Sequence, residues 1–86
     1  MAYKVLLTHP AKRELDKLDP VVKKAIKNKI QQYMPSPIKN ARKLNNSNIG
    51  SYRWRAGNYR IVFDVGKDVI TIIKIGHRRE VYHFES

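Results

Sequence analysis

Apolar and polar residues alternate along most of the second half of the chain. Tyr52 and Trp54 fall on one side of this pattern, and Arg53 and Arg55 fall on the other. Because successive side chains of a strand point to opposite faces of a sheet, a period of two predicts β-strands. Glycine-containing turns separate three such runs and predict an antiparallel meander, with its apolar face in the core and strands over residues 52–56, 59–65 and 69–75.

The first third of the chain has a different pattern. A short alternating stretch before Thr8 predicts a strand, and apolar residues then recur with a helical period. A capping residue close to a proline marks two helix starts, at Thr8 with Pro10 and at Asp19 with Pro20. The buried stripes predicted for the two helices are Ala11, Leu15 and Leu18, then Val22, Ile26, Ile30 and Tyr33.

Together these elements predict an α+β fold in a single domain spanning residues 1–86. The N-terminal helical hairpin is expected to pack on one face of a mostly antiparallel four-stranded sheet, which gives two layers. A basic, polar connector over residues 38–48 joins the hairpin to the meander, and the spacing of Ala41 and Leu44 suggests one helical turn within it. The pattern leaves open where the first strand joins the sheet.

The polar side of the meander is rich in arginine. It gathers Arg53, Arg55 and Arg60, and His77 and Arg78 follow close to its end. Arg60 differs from the other two because its strand neighbours are tyrosine, isoleucine, valine and phenylalanine. A pure packing role at that position would favour valine or isoleucine. We therefore expect the arginine-rich side to be the functional surface.

The net charge of the chain agrees with that expectation. The sequence contains 18 Lys and Arg but only 7 Asp and Glu, a formal net charge of +11. Such an excess favours a polyanionic partner, either nucleic acid or an acidic protein. The chain has no cysteine, no apolar run of membrane-spanning length and no signal-peptide pattern at its start. We therefore expect a cytoplasmic protein.

The candidate chemistry is that of arginine acting on phosphate. The histidines and carboxylates lack the spacing of a metal site, and neither a nucleotide-binding glycine loop nor a nucleophile elbow occurs, so we expect no metal and no cofactor. Several arginines on one face can stabilise the negative charge of a phosphoryl transition state. RNA supplies its own nucleophile, the 2′-hydroxyl, and His77 or Tyr82 can move the protons.

Two blocks of sequence carry a family resemblance: YRWRAGNYRIVF over residues 52–63 and IGHRREVY over residues 75–82. Together they resemble the RelE toxins of the RelE/ParE superfamily, and the likeness extends over essentially the whole chain. The resemblance implies the RelE-like two-layer fold and the toxin of a type II toxin–antitoxin system. It further implies a metal-independent, ribosome-dependent endoribonuclease that cleaves mRNA in the ribosomal A site, and a RelB-like antitoxin that is acidic and partly disordered.

The resemblance also implies catalytic positions. Arg60 and Arg78 stand where such toxins stabilise the phosphate and the leaving group, and Tyr82 stands at the position of a functional tyrosine. His77 is added as a catalytic candidate because histidine can transfer protons near neutral pH.

The basic strand pair of the family corresponds to Arg53 and Arg55, and we group Arg79 with them as RNA-binding. Arg79 can also form a surface ion pair with its neighbour Glu80. The best-understood RelE toxins carry lysines at the two strand positions, one of them a proposed general base. Because arginine is a poor base, His77 or Tyr82 would take that role here.

Two other functions fit parts of the same pattern. A ParE-like toxin would share the fold but would inhibit DNA gyrase by binding it, without nuclease activity. A catalytically inactive nucleic-acid-binding module would rely on charge alone. The combination of Arg60, Arg78 and Tyr82 favours the nuclease, because ParE-type chains usually lack it.

Overall fold

The computed structural model describes residues 3–44 and 50–77, and within these ranges it contains five strands and two helices. In chain order they are β1 (Lys4–Leu7), α1 (His9–Asp16), α2 (Pro20–Tyr33), β2 (Arg42–Lys43), β3 (Tyr52–Ala56), β4 (Tyr59–Val65) and β5 (Val69–His77). The predicted helices and the three strands of the meander are all present.

The strands form one mixed sheet in the order β1-β5-β4-β3-β2. The pairs β2–β3, β3–β4 and β4–β5 are antiparallel, whereas β1 runs parallel to β5 with Lys4 opposite Val69. The predicted α+β fold, with helices on a mostly antiparallel sheet, is therefore confirmed. The number of strands differs, because the described part of the sheet has five rather than the predicted four.

The additional strand is β2. Arg42 and Lys43 are both exposed and polar, so no alternation of apolar residues marks them as a strand. Their backbone pairs with residues 52–53 at the edge of β3. The prediction of a helical turn over residues 41–44 is therefore wrong, because residues 42–43 form a strand that pairs with β3.

Thr8 joins the start of α1 to the sheet. Its side-chain oxygen accepts a hydrogen bond from the Ala11 amide at 3.3 Å, and its hydroxyl donates to the carbonyl of Ile73 at 3.0 Å. This confirms Thr8 as the predicted cap. Asp19 precedes α2 as predicted, but its side chain makes no capping hydrogen bond, so Pro20 at the first helical position is the main local signal for that start.

The core lies between the helical hairpin and one face of the sheet, and Trp54 is at its centre. The Trp54 and Phe63 ring centroids are 4.0 Å apart, and Tyr33 of α2 packs on the same indole at 5.9 Å. The indole nitrogen donates to the buried carbonyl of Pro37 at 2.9 Å. Tyr52 stacks on Phe63, so the expectation that Tyr52 and Trp54 belong to the core face is confirmed.

A two-residue turn, Gly57 and Asn58, connects β3 to β4. Gly57 has a φ of 62°, in the left-handed region that glycine adopts without strain. A turn this short fixes the register of the two strands, which places Arg55 directly opposite Arg60.

Candidate active site

Two pairs of arginines face each other across neighbouring strands. Arg55 on β3 lies opposite Arg60 on β4, and Arg42 on β2 lies opposite Arg53 on β3. Opposed residues of antiparallel strands point to the same face, so all four lie on the side of the sheet away from Trp54, which we call the arginine face. Like charges in such positions repel each other, so this face favours an anionic ligand.

Arg60 is the most unusual residue of the arginine face. It is only 1% exposed, although it carries a full positive charge. Its Nη1 donates a long hydrogen bond of 3.4 Å to the Tyr59 carbonyl. Its Nε and Nη2 have no hydrogen-bond partner among the described residues. Burying unpartnered donors of a charged group destabilises a fold, so this arrangement calls for a functional explanation.

The two unpartnered nitrogens are the pair that a guanidinium uses for side-on recognition. The N–H bonds of Nε and Nη2 point in nearly the same direction and match two oxygens of a phosphate or carboxylate. Because Arg60 is shielded from water, such a pair of bonds would be stronger than at an exposed site. Arg60 is therefore a candidate for binding one anionic group.

The cross-strand neighbours of Arg60 are a residue without a side chain and a second cation. Its cross-strand partner on β5 is Gly76, which has no side chain, and its partner on β3 is the exposed Arg55. Arg53 on the same face is partly buried. The face thus presents solvent-facing cations beside a buried one, an arrangement that can attract a phosphate chain and hold one of its groups.

His77 lies on the other side of the sheet from the arginine face. It pairs with Tyr59 across β4–β5, and the two rings meet edge to face with centroids 5.6 Å apart. The sequence analysis placed His77 near the end of the arginine-rich side, but its side chain lies on the opposite side of the sheet. The reason is an irregularity in β5 at Ile73, which shifts the register between Val62 and Phe63 and reverses the alternation that follows.

Three of the predicted site residues, Arg78, Arg79 and Tyr82, lie outside the described residues. They lie within the five residues of the sequence that follow His77, the last residue of β5. Their roles remain predictions.

Arg42 is a member of the arginine face that the sequence did not suggest. Its position becomes evident only from the pairing of β2 with β3, since β2 carries no alternating pattern. One signal was available in the sequence: Arg42 and Lys43 extend the run of cations in the connector.

The chain before β3 closely approaches the same face of the sheet. A Cβ atom on Gly50 would lie 2.5 Å from the Cγ1 of Val62, so only glycine fits there without displacement. The next residue, Ser51, donates its backbone N–H to the Asp64 carboxylate at 2.8 Å. These contacts hold the entry to β3 against β4 and fix one border of the arginine face.

Glu14 of α1 anchors the end of β5. One carboxylate oxygen accepts from the Ile75 amide at 3.2 Å, and the other binds the Lys74 ammonium. β1 pairs with β5 only as far as Ile72, so Glu14 satisfies a backbone group beyond that point. This contact positions the strand that leads into Arg78, and sequence reasoning missed it because nothing local links α1 to β5.

Replacing Glu14 is expected to destabilise the protein. Glu14→Gln keeps an acceptor for Ile75 but loses the ion pair, and we expect a loss of about 1 kcal/mol in the free energy of unfolding. Glu14→Ala loses both bonds and should cost about 2 kcal/mol. Urea denaturation measures both changes. Asp16→Asn is the matched control, since its pair with Lys23 is more exposed and should contribute less than about 1 kcal/mol. Equal effects at positions 14 and 16 would contradict the anchoring role.

Residues 3–44 and 50–77 contain neither a metal-ligand cluster nor a membrane-spanning helix. No three His, Cys, Asp or Glu side chains come together there in a group that would hold a metal ion. Within the same ranges, neither helix has the length and apolar character needed to cross a bilayer.

The chain has the same fold as several solved toxin structures. The chain matches the toxin–antitoxin complex RelBE2 from Mycobacterium tuberculosis with a TM-score of 0.81 and 25% identity, over 91% of this chain and 100% of that chain. A mutant of E. coli toxin RelE in the free state matches with a TM-score of 0.74 and 29% identity, over 99% and 95%. The same toxin bound to an antitoxin RelBc peptide gives 0.71 and 30%, over 96% and 93%.

The comparison with protein families agrees with the structures. The family described as "ParE toxin of type II toxin-antitoxin system, parDE" matches residues 5–82, almost the whole chain. No curated protein matches. The family match and the structural matches together show that the chain belongs to the ParE toxin family and is a type II toxin of the RelE/ParE superfamily.

Proposed function

We propose that this toxin is a metal-independent, ribosome-dependent endoribonuclease that cleaves mRNA in the ribosomal A site. It would use the RNA 2′-hydroxyl as nucleophile and would act in the cytoplasm, where ribosomes are found. The similarity to RelE toxins supports this activity, since the chain shares 29% identity with the E. coli protein over nearly its full length.

One structural observation supports the proposal most strongly: the buried Arg60, with its side-on pair of donors unpartnered among the described residues. A toxin that acted only by binding a protein could pair Arg60 with a carboxylate of its partner, but it would not need donors preorganised for a transition state. A nuclease would gain a preorganised pair of donors for the phosphate at which negative charge develops.

The proposed roles combine the positions of the residues on the arginine face with the resemblance to RelE toxins. Arg60 binds the scissile phosphate, and Arg78 stabilises the leaving group from the segment that follows β5. Arg42, Arg53 and Arg55 hold the flanking phosphates, with Arg79 as a further RNA contact. Proton transfer is assigned to Tyr82 before His77, because the His77 side chain packs against Tyr59 on the far side of the sheet.

The proposed protein partner is a RelB-like antitoxin. The solved structures that this chain resembles include RelB–RelE complexes from M. tuberculosis and E. coli. A net charge of +11 suits an acidic partner, and a partly disordered one can fold along the toxin surface as it binds.

A second candidate is inhibition of DNA gyrase by binding. The observation in its favour is the family match, since the matching description is that of ParE rather than RelE. The arginine face would then bind an acidic protein surface or DNA, and Arg60 would have no catalytic role.

A single experiment separates the two functions. The toxin is treated with EDTA, desalted, and added to ribosomes programmed with a defined mRNA, so that only the ribosomes carry magnesium. We expect cleavage of the codon in the A site. A parallel supercoiling assay with purified gyrase should show no inhibition. Gyrase inhibition without mRNA cleavage would establish the ParE-like function instead, and cleavage that returns only with added metal would contradict the metal-free mechanism.

A further inference from the structure

Two cavities lie on the helix side of the sheet, one on each side of Tyr59. The first, of about 300 Å³, lies between α2 and the β3–β4 turn, and its lining includes Val22, Ile26 and Ala56. The second, of about 320 Å³, lies between the end of α1 and the end of β5. Volumes of this size are at the lower end for ligand pockets, about 300 to 1,000 Å³, and suit one or two side chains each. We call the two cavities together the Tyr59 groove.

The two halves of the groove differ in chemistry. The half beside α2 is apolar, and its rim includes Val21, which is 76% exposed although it is a large hydrophobic residue. The half beside β5 contains Glu14 and Lys17. The Glu14 carboxylate is already bound to Lys74 and to the Ile75 amide, so Lys17 is the cation in that half with no ion pair among the described residues.

We propose that the Tyr59 groove is a docking site for the antitoxin, occupied by an amphipathic acidic segment. An apolar side chain of that segment would enter the half beside α2, and a carboxylate would meet Lys17 in the other half. Lys29 on the rim of the apolar half adds a second cation, and the exposed Lys24 and Lys27 lie on the same helix. An apolar centre with a basic rim is complementary to an acidic amphipathic helix. This inference rests on the antitoxin partner named under the proposed function.

The position of the groove has a consequence for inhibition. Tyr59 and His77 face the helices, whereas Arg60 and Gly76, their neighbours in sequence, face the opposite side of the sheet. An antitoxin segment in the groove therefore leaves the arginine face uncovered. The antitoxin contacts in the groove are therefore separate from any contacts that block the candidate active site, and a substitution can weaken one set without the other.

The test is Ala25→Glu, at an exposed position of α2 that lines the apolar half. A carboxylate placed there would be buried against apolar groups in the complex and would repel the acidic partner. We expect the affinity for the full-length cognate antitoxin to fall by about 30- to 100-fold, measured by calorimetry. Asn28→Glu is the matched control, because it adds the same charge at an exposed position of α2 outside the groove lining, and it should change affinity by less than about threefold.

A second pair of variants tests the polar half. Lys17→Gln should weaken antitoxin binding by about two- to fivefold and reduce its dependence on salt, whereas Lys12→Gln, at an exposed position of α1 outside the groove lining, should not. mRNA cleavage by free Ala25→Glu toxin should match the wild type. Unchanged antitoxin affinity in Ala25→Glu would overturn the inference and leave the nuclease proposal intact. Slower mRNA cleavage with unchanged antitoxin affinity would also overturn it and would assign the groove to the ribosome. A toxin dimer that dissociates in Ala25→Glu would overturn it too, because the groove would then be the dimer interface.

Discussion

Replacing Arg60 with methionine is expected to slow single-turnover mRNA cleavage on programmed ribosomes by about 100- to 1000-fold while leaving the fold at least as stable. The rate should fall because one preorganised pair of donors to the phosphate is lost. Stability should not fall, because methionine fills the same space without a buried charge, and replacing buried charges with apolar groups is often neutral or stabilising. The measurements are cleavage rates at saturating toxin and thermal melts of the free protein.

The combination of the two results is what identifies the role. If Arg60 served only the fold, Arg60→Met would lower the melting temperature and affect cleavage only in proportion to the unfolded fraction. If it served only to attract RNA, the loss would appear in affinity and its salt dependence rather than in the rate of the bound complex. A stable variant with a wild-type rate would remove the main support for the nuclease proposal.

Arg55→Met is the matched control. Arg55 lies on the same face directly opposite Arg60, but it is exposed rather than buried. Its loss should weaken ribosome or RNA binding modestly and reduce the salt slope, with little change in the single-turnover rate. Arg60→Lys adds a further comparison, since it keeps the charge but loses the side-on pair of donors, and we expect it to remain well below the wild-type rate.

Local pattern was sufficient to predict most of the fold. The apolar residues that repeat with a helical period, Ile26 and Ile30, lie in the buried core. So do the alternating strand residues Trp54, Ile61 and Phe63. These signals are strong because burial on one face imposes a period on the sequence. The parallel pairing of β1 with β5 has no such signal, because it joins segments at opposite ends of the chain.

The side of the sheet on which His77 lies could not be predicted either, because the alternation of β5 is interrupted within the strand. Counting by two from the buried Ile72 would place Ile75 and His77 on the arginine face. The irregularity at Ile73 reverses this order, so that Ile75 pairs with Ile61 in the core and His77 pairs with Tyr59. A single extra residue in a strand exchanges its two faces, and the sequence of β5, which is apolar at most positions, does not show where that residue lies.

The candidate site was predictable in part. The sequence pointed to Arg60 as an arginine among apolar strand residues, because a charge there has a cost that packing alone does not explain. The pairing with Arg55, the burial and the two unpartnered nitrogens are tertiary features that no local pattern encodes. The same holds for Arg42, since its place on the arginine face depends on an edge strand of only two residues.

The largest effect on stability is expected at Trp54. This side chain is fully buried and links four parts of the chain: its own strand β3, Phe63 of β4, Tyr33 of α2 and the carbonyl of Pro37. Trp54→Ala should lower the free energy of unfolding by about 3 to 5 kcal/mol, through lost burial and the cavity left behind. A domain of this length has roughly 4 to 13 kcal/mol in total, so the variant should melt at least about 12 °C lower.

Trp54→Phe separates packing from the hydrogen bond. Phenylalanine keeps a ring against Phe63 but leaves the buried Pro37 carbonyl without its donor, and we expect a loss of about 1 to 3 kcal/mol. Tyr52→Phe, which keeps the neighbouring stacked ring and removes only a hydroxyl from a partly exposed residue, should change stability by less than about 0.5 kcal/mol. Because Trp54 lies on the helix side, folded Trp54→Phe toxin should still cleave mRNA at close to the wild-type rate. A variant that folds well but loses cleavage would show that the core and the arginine face are coupled through β3, contrary to the separation of the two faces of the sheet.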